Sequence, residues 1–232
     1  MKKLLFLLCL FAATSVLKAQ DSTQLQKAKE KVAQSGSRDR LVIDFGYDRW
    51  IDDIDSIKSK RFSRSFGFTF MYDILLGKSR FSIAPGLGIY THSVFLDHQL
   101  VKGTDSTETT FADFGSDYKK YKLNTVYLDI PLELRFRSKP NKHNKSVKVA
   151  AGFKAGVLIN SHTKLIHDGP DGDREVVKVK NFTDLSRFRY GPTLRIGYAF
   201  FNVFAYYSVG ELFNDGPQKI HPLTVGISIN GL

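Results

Sequence analysis

Two histidines of this chain stand next to serines, His92 beside Ser93 and His162 beside Ser161. A serine becomes a nucleophile when a histidine within hydrogen-bonding reach accepts its proton. Both pairs lie in segments that read as strands, where adjacent residues point to opposite faces. The two serine–histidine pairs therefore do not indicate a catalytic site with a serine nucleophile and a histidine base. We predict that the protein is not an enzyme, and we keep a lipid-modifying membrane enzyme as the last alternative.

An oxygen-rich segment, Asp168-Gly-Pro-Asp171-Gly-Asp173-Arg-Glu175, has the residue types that bind calcium. Its spacing does not match the twelve-residue calcium loop, and Asp, Gly and Pro are also common turn residues. The flanking sequences read as two strands of a hairpin. We predict a turn that projects past the rest of the fold, with calcium binding as the open alternative. No other segment implies a metal or a cofactor.

Charged residues recur at every second position of several segments, on the face that lacks large apolar side chains. If these faces turn inward in a closed sheet, the charges must pair, because an unpaired buried charge is costly. We predict an ion-pair network that fills the interior, with Lys154 paired to Asp129 or Glu133. A charged conduction path is the alternative, and an excess of bases would favour anions. The predicted acids are Asp44, Asp48, Asp73, Asp129 and Glu133, and the predicted bases are Arg135, Arg137, Lys148, Lys154, Arg187, Arg189 and Arg195.

Eight segments carry this alternation, and each is about as long as a tilted membrane strand. One face of each is large and apolar, and the other is small, polar or charged. Three prolines, Pro85, Pro131 and Pro192, interrupt the pattern, and we expect local unpairing there. The eight segments are 41–48, 65–73, 81–89, 126–136, 147–157, 187–198, 201–209 and 223–230.

The connections between these segments alternate between long and short along the chain. Long ones cover 51–61, 93–123 and 161–186, and short ones cover 75–80, 138–145 and 199–200. This asymmetry is typical of outer-membrane barrels, with short turns in the periplasm and long loops outside. Apolar faces in lipid require a closed sheet. We therefore predict an all-β fold, a closed, eight-stranded antiparallel transmembrane β-barrel with up-and-down meander topology and both termini in the periplasm.

Aromatic residues fall near both ends of the predicted strands, as in the girdles of membrane barrels. Phe81, Phe136 and Tyr198 lie at the short-turn end, and Tyr47 and Trp50 lie near the long-loop end. Arg49 and Arg64 are at lipid-facing positions of their strands, at the long-loop end, where their charges can reach lipid headgroups.

The N-terminus has the layout of a secretory signal peptide, with Lys2 and Lys3 before an apolar run and a small residue at Ala19. We predict a signal peptide at 1–19, a periplasmic extension at 20–40 and the barrel at 41–232. Removal of the signal takes away Cys9, the only cysteine, which excludes disulfides and thiolate chemistry. The net charge of +11 suggests anionic lipids or lipopolysaccharide as partners, not nucleic acid.

Tyr127–Leu134 (YLDIPLEL) resembles a hallmark of the small outer-membrane β-barrel proteins of Bacteroidetes-type bacteria, the PorT-like group. Three further segments are similar in placement: Ala151–Gly156, Tyr207–Phe213 and Pro222–Ile227. The resemblance covers about Leu41 to Asn230. It implies the barrel fold and an outer-membrane location, and it does not assign a function. From the residues we predict a structural or interaction role for a barrel with a side-chain-filled lumen. The alternatives are a small porin and an accessory component of outer-membrane transport or type IX secretion.

Overall fold

The computed structural model describes residues 41–51, 63–77, 79–102, 109–113, 118–139, 141, 145–168, 173–180, 184–214 and 219–230. The predicted signal peptide, the predicted extension and residues 169–172 of the oxygen-rich segment lie outside the described residues. Twelve strands cover most of these ranges: β1 Leu41–Ile51, β2 Arg64–Met71, β3 Ile74–Leu75, β4 Phe81–Leu96, β5 His98–Lys102, β6 Thr109–Asp113, β7 Tyr118–Arg137, β8 Val147–Asp168, β9 Arg174–Lys180, β10 Phe188–Tyr198, β11 Phe201–Tyr207 and β12 His221–Asn230.

Eight of these strands form a closed ring in which every pair is antiparallel. The order is β1, β2, β4, β7, β8, β10, β11 and β12, and β12 pairs with β1 to close the ring. The predicted fold, a closed eight-stranded barrel with meander order, is confirmed. The other four strands lie beside the ring: β3 pairs with β4, β5 and β6 form a hairpin, and β9 pairs with the end of β8.

The long connections and the short connections lie at opposite ends of the ring, called here the loop end and the turn end. At the turn end, β10 and β11 are joined by Ala199 and Phe200, and Ala199 adopts a φ of 56°. A positive φ is uncommon for a residue with a Cβ atom, and a two-residue hairpin turn is where it is needed. Within the described ranges, no helix has the length and apolarity that a membrane span requires.

The outward face of the ring is an apolar belt at the level of the predicted strands. On β7 the outward side chains from Val126 to Phe136 are all apolar, and Leu128, Ile130, Leu132 and Leu134 are exposed. These ten steps span about 33 Å of strand, or about 25 Å along the axis of a barrel whose strands tilt by about 40°. The belt therefore matches the apolar height of an outer-membrane barrel.

Above this belt, at the loop end, the apolar side chains point inward and the polar side chains point outward. On β7, Tyr121 and Leu123 are buried inside, while Lys120 and Lys122 point outward. The polar side chains here face outward and the apolar ones inward, as in a water-soluble sheet. The reversal marks where the protein leaves the apolar layer.

The two strands β7 and β8 are longer than the alternation predicted, and connection 93–123 was wrongly expected to be a loop throughout. It contains paired strand of β4 and β7, and region 161–186 contains the predicted hairpin that β8 forms with β9. One cause is a bulge: the β7–β8 register shifts next to Val126 and Tyr127, which are opposite Asn160 and Leu158. The extra residue, Ile159, inverts the in–out phase of everything after it.

The prolines interrupt the ladders as expected. Pairing of β4 with β7 stops at Pro85 and Leu132 and resumes, in the same register, at Gly88 and Asp129. The β10–β11 pairing begins at Thr193, one residue after Pro192. The ring closes around these local gaps without a change of register.

Candidate functional site

The loop-end half of the lumen contains a chain of buried charges centred on Asp129. Arg189 on β10 donates to both carboxylate oxygens of Asp129 on β7, over 3.0 and 2.6 Å. Lys154 Nζ on β8 lies 3.3 Å from Asp129 Oδ2, which is the pairing that strand phase predicted. Arg189 Nη1 also lies 2.6 Å from His92 Nε2, and His92 Nδ1 lies 3.0 Å from Asp48 Oδ2. Five charged or polar groups from five strands therefore form one connected array.

Tyrosine rings enclose the two cations of this array. Lys154 Nζ lies 3.9 Å from the centroid of the Tyr90 ring and 4.0 Å from that of Tyr206. The Arg189 guanidinium carbon lies 4.0 Å from the centroid of the Tyr127 ring. Ring faces attract cations, and the contact is stronger when water is excluded. Tyr90 shares the strand phase of His92, and Tyr127 shares that of Asp129, so the alternation in the sequence also indicates that these rings face the lumen.

A second array fills the turn-end half of the lumen. Arg195 on β10 donates to both oxygens of Asp44 on β1, over 2.8 and 3.2 Å, and its Nε lies 3.7 Å from Glu133 Oε1. Arg135 donates through Nε to Glu133 Oε2 over 2.8 Å and through Nη1 to Asp73 Oδ1 over 2.9 Å. Bidentate arginine–carboxylate pairs are among the strongest protein hydrogen bonds.

Tyr90 joins the two arrays. Its ring faces Lys154, and its hydroxyl donates to Asp44. The ring also lies directly against Gly67 of β2, where any Cβ atom would overlap it. Together the two arrays form one lumen network. Its members are Asp44, Asp48, Asp73, Tyr90, His92, Asp129, Glu133, Arg135, Lys154, Arg189 and Arg195.

Three predicted lumen bases lie at the margins of this network. Arg137 is partly exposed, and its Nη2 lies 3.9 Å from Asp73 Oδ2. Lys148 is half-buried at the turn end and pairs across the ladder with Arg137, not beside Arg135 as predicted. Arg187 is exposed, so its assignment to the lumen was wrong. It precedes the first residue of β10, and strand alternation does not extend to a residue outside the strand.

The serine–histidine pairs do not form a catalytic arrangement. Both ring nitrogens of His92 are engaged, one with Asp48 and the other with Arg189. Ser93 points to the outer face, where its hydroxyl donates to Asn124. Among the described residues, no group of three His, Cys, Asp or Glu side chains could hold a metal ion.

An apolar cluster, called here the plug, closes the loop end of the lumen above the network. Trp50 was expected in the aromatic girdle, but it lies on the inward phase of β1 and packs edge-on against Phe213, with ring centroids 6.3 Å apart. Two connections meet there. Leu185 and Phe213 form an isolated antiparallel β-bridge, and the Ser186 amide donates a hydrogen bond to the Leu212 carbonyl. The buried members of the plug are Val94, Leu96, Leu100, Tyr121, Leu123, Leu185, Leu212, Phe213 and Ile220.

Small voids separate these layers in the part of the lumen that the structure describes. A cavity of about 30 Å³ lies between the plug and His92, and one of about 20 Å³ lies beside Tyr90 and Lys154. Each has room for one or two water molecules. The described interior is therefore packed with side chains.

Similarity to known proteins identifies a family for this chain. No curated protein matches the chain. Two crystal structures of Ail, the attachment invasion locus protein of Yersinia pestis, are similar to it, one of them in complex with the heparin analogue sucrose octasulfate. They are 14% and 12% identical, cover 82% of this chain and 96% and 95% of Ail, and have TM-scores of 0.34 and 0.32. The model of the outer membrane protein beta-barrel domain matches residues 45–214, and the chain belongs to that family.

Proposed function

We propose that the protein is a non-conducting outer-membrane barrel with a structural or interaction role, its loop end outside the cell and both termini in the periplasm. The observation that carries this proposal is the lumen network, which connects side chains from Asp48 near the loop end to Asp73 near the turn end. Outer-membrane lipids and lipopolysaccharide are its expected surroundings.

The charge balance of the lumen network supports a packed interior over a conduction path. Each carboxylate has at least one cationic or histidine partner within 4 Å. Asp129, the most central, is fully buried and has two cationic partners. A permeating ion would have to displace such pairs, and breaking one strands a charge at a cost of about 3–5 kcal/mol.

The plug supports the same conclusion through a different interaction. It packs apolar side chains across the loop end, whereas the lumen network fills the membrane level with ion pairs. An ion entering from the loop end would meet an apolar layer first. The lumen is thus blocked twice, by the apolar plug and by the ion pairs of the lumen network. This favours a barrel whose function depends on its outer surface and not on conduction.

A catalytic role has no support from the described side chains. His92, the histidine on the lumen phase nearest a serine, has its base nitrogen occupied by Arg189. A general base needs a free nitrogen facing its nucleophile. We therefore propose that the protein is not an enzyme.

Within the family, we propose that the chain belongs with the PorT-like barrels of Bacteroidetes-type bacteria. The support is the segment Tyr127–Leu134 and its place in β7. Tyr127, Asp129 and Glu133 point into the lumen network, while Leu128 and Leu132 belong to the apolar belt. These five residues of the motif thus have a physical reason at their positions.

Electrical recording in planar bilayers tests the closed lumen. We expect the full chain to give no stable single-channel currents. Large, stable currents would instead support a small porin or transport accessory. In that case, replacing Arg135 or Arg195 by Gln would change the ion selectivity of the currents.

Cysteine labelling in intact cells tests the orientation. The only cysteine of the sequence, Cys9, lies in the predicted signal peptide, so the variants Glu175→Cys and Lys139→Cys each introduce a single thiol into the barrel. Both sites are exposed, one at the loop end and the other at the turn end. A membrane-impermeant maleimide is expected to label Glu175→Cys in intact cells and Lys139→Cys only after lysis. The reverse pattern would contradict the proposal.

A further inference from the structure

Basic residues occupy consecutive rows on the outward face of the loop-end sheet. The pairing register places Lys122 of β7 beside Lys164 of β8, and Lys164 beside Lys178 of β9. In the row below, Asn124 is beside His162, which is beside Lys180. Neighbouring strands are about 4.8 Å apart, so the three lysines of the upper row span about 10 Å. We call the set Arg64, Lys120, Lys122, His162, Lys164, Lys178 and Lys180 the basic face.

No described carboxylate neutralises this face. The pKa of Lys122 is lowered by burial and by four further bases, Lys164, Lys120, Arg64 and Lys178. Burial, followed by Lys122, Lys178 and Lys180, also lowers the pKa of His162. Glu175 of β9 lies on the other side of the sheet, 3.6 Å from His167 Nε2. Like charges on adjacent strands repel one another, so an anion on this face would stabilise it.

The basic face lies immediately beyond the apolar belt. Lys122 is four residues from Val126, the last apolar outward residue of β7, which is about 13 Å along the strand. The headgroup layer begins at the edge of the belt, and lysine side chains above it can extend their ammonium groups back into that layer. The neighbouring surface has both apolar and basic parts: an open groove of about 400 Å³ is lined by Tyr47, Arg64, Phe95 and Lys120, among others.

We propose that the basic face binds the phosphate groups of anionic lipid headgroups in the leaflet at the loop end. Its height above the belt favours lipid over a soluble anion, because the lipid phosphates are held at that level by their acyl chains. The inference rests on the proposed membrane location and deepens it, by naming the residues that bind and the group that they recognise.

Binding of lipid A by the full chain in detergent tests the proposal, with bisphosphorylated lipid A as the probe and its dephosphorylated form as the comparison. The test variant is Lys122→Gln/Lys164→Gln/Lys178→Gln. The matched control is Arg80→Gln/Lys139→Gln/Lys145→Gln, which removes the same charge from exposed positions at the turn end. We expect about a hundredfold weaker binding of the bisphosphorylated probe by the test variant, and little change for the control.

Salt and free phosphate separate the remaining explanations. Binding that weakens with added salt and is not displaced by millimolar inorganic phosphate supports a lipid headgroup site. Equal loss in both triple variants, equal affinity for the dephosphorylated probe, or full displacement by inorganic phosphate would each overturn the proposal. Folding of every variant is checked through the fluorescence of Trp50, the only tryptophan. Bilayer recordings of the same samples report separately on the closed lumen, so that either proposal can fail alone.

Discussion

The lumen network and the basic face are both dense in charge, yet their physical situations are opposite. In the network, Asp129 and Lys154 are buried and paired at 3.3 Å. On the basic face, Lys122, Lys164 and Lys178 lie side by side on the outer surface with bases as their charged neighbours. Buried charges are retained only with partners, whereas exposed like charges are tolerated because water and salt screen them. Residues of the same type therefore hold the fold together in one region and are available to a ligand in the other.

The largest effect is expected at the centre of the network. Asp129→Asn strands both Arg189 and Lys154, and we expect a loss of about 3–5 kcal/mol in the free energy of unfolding. Denaturant unfolding in lipid vesicles, followed by Trp50 fluorescence, measures it. Glu175→Gln, which removes an exposed carboxylate of the loop-end hairpin, serves as the control and should change stability by less than about 1 kcal/mol. Similar losses in the two variants would remove the distinction between the regions.

A matched pair of lysine substitutions sharpens the same comparison. Lys154→Met leaves one cation on Asp129, so we expect a loss of a few kcal/mol, about 2–3, smaller than that of Asp129→Asn. Lys164→Met on the basic face should leave stability unchanged or slightly raise it, because it relieves repulsion between neighbouring lysines. The same unfolding assay compares them. A destabilised Lys164→Met variant with an unaffected Lys154→Met variant would reverse our assignment of the two regions.

We expect the plug to contribute less than the lumen network to the free energy of unfolding. Its loss should also leave the lumen network intact. Phe213→Leu removes the edge-on contact with Trp50, and we expect a loss of about 1 kcal/mol and a shift of Trp50 emission to longer wavelength. Planar bilayers that contain this variant should show no channel currents, because the lumen network beneath the plug is intact. Phe200→Leu, at an exposed turn-end aromatic, is the control and should leave the emission unchanged. Currents in Phe213→Leu would show that the plug alone closes the barrel.

The smallest effect is the titration of His162. Burial, and then Lys122, Lys178 and Lys180, lower its pKa below the ordinary value, and Lys164 also lies on its own strand. The unfolded chain therefore binds this proton more readily, so the contribution of His162 to stability falls as pH drops through the ordinary histidine range. We expect Lys178→Gln to raise the pKa of His162, as measured by NMR titration and assigned with His162→Asn. An unchanged pKa would mean that the bases of this face do not act on one another.

Strand alternation in the sequence was sufficient to predict the barrel and much of the network. Because the side-chain period of a strand is two, the phase of Leu128 fixes the phase of Asp129, and that of Phe153 fixes that of Lys154. Antiparallel neighbours then bring Lys154 close to Asp129, as the structure has it. Local unpairing at Pro85 and Pro192 also followed from the missing amide hydrogen of proline.

The tertiary structure alone decided what depends on distant segments. The plug joins Leu96, at the end of β4, to Leu185 and Phe213 from two connections, and no local pattern indicates that they meet. The basic face depends on the bulge at Ile159, which inverts the phase of β8 and brings His162 and Lys164 outward beside Asn124 and Lys122. A period of two determines which face a side chain takes within one uninterrupted strand, but a single extra residue resets it. Register across strands is therefore set by the paired backbones, which the linear sequence does not display.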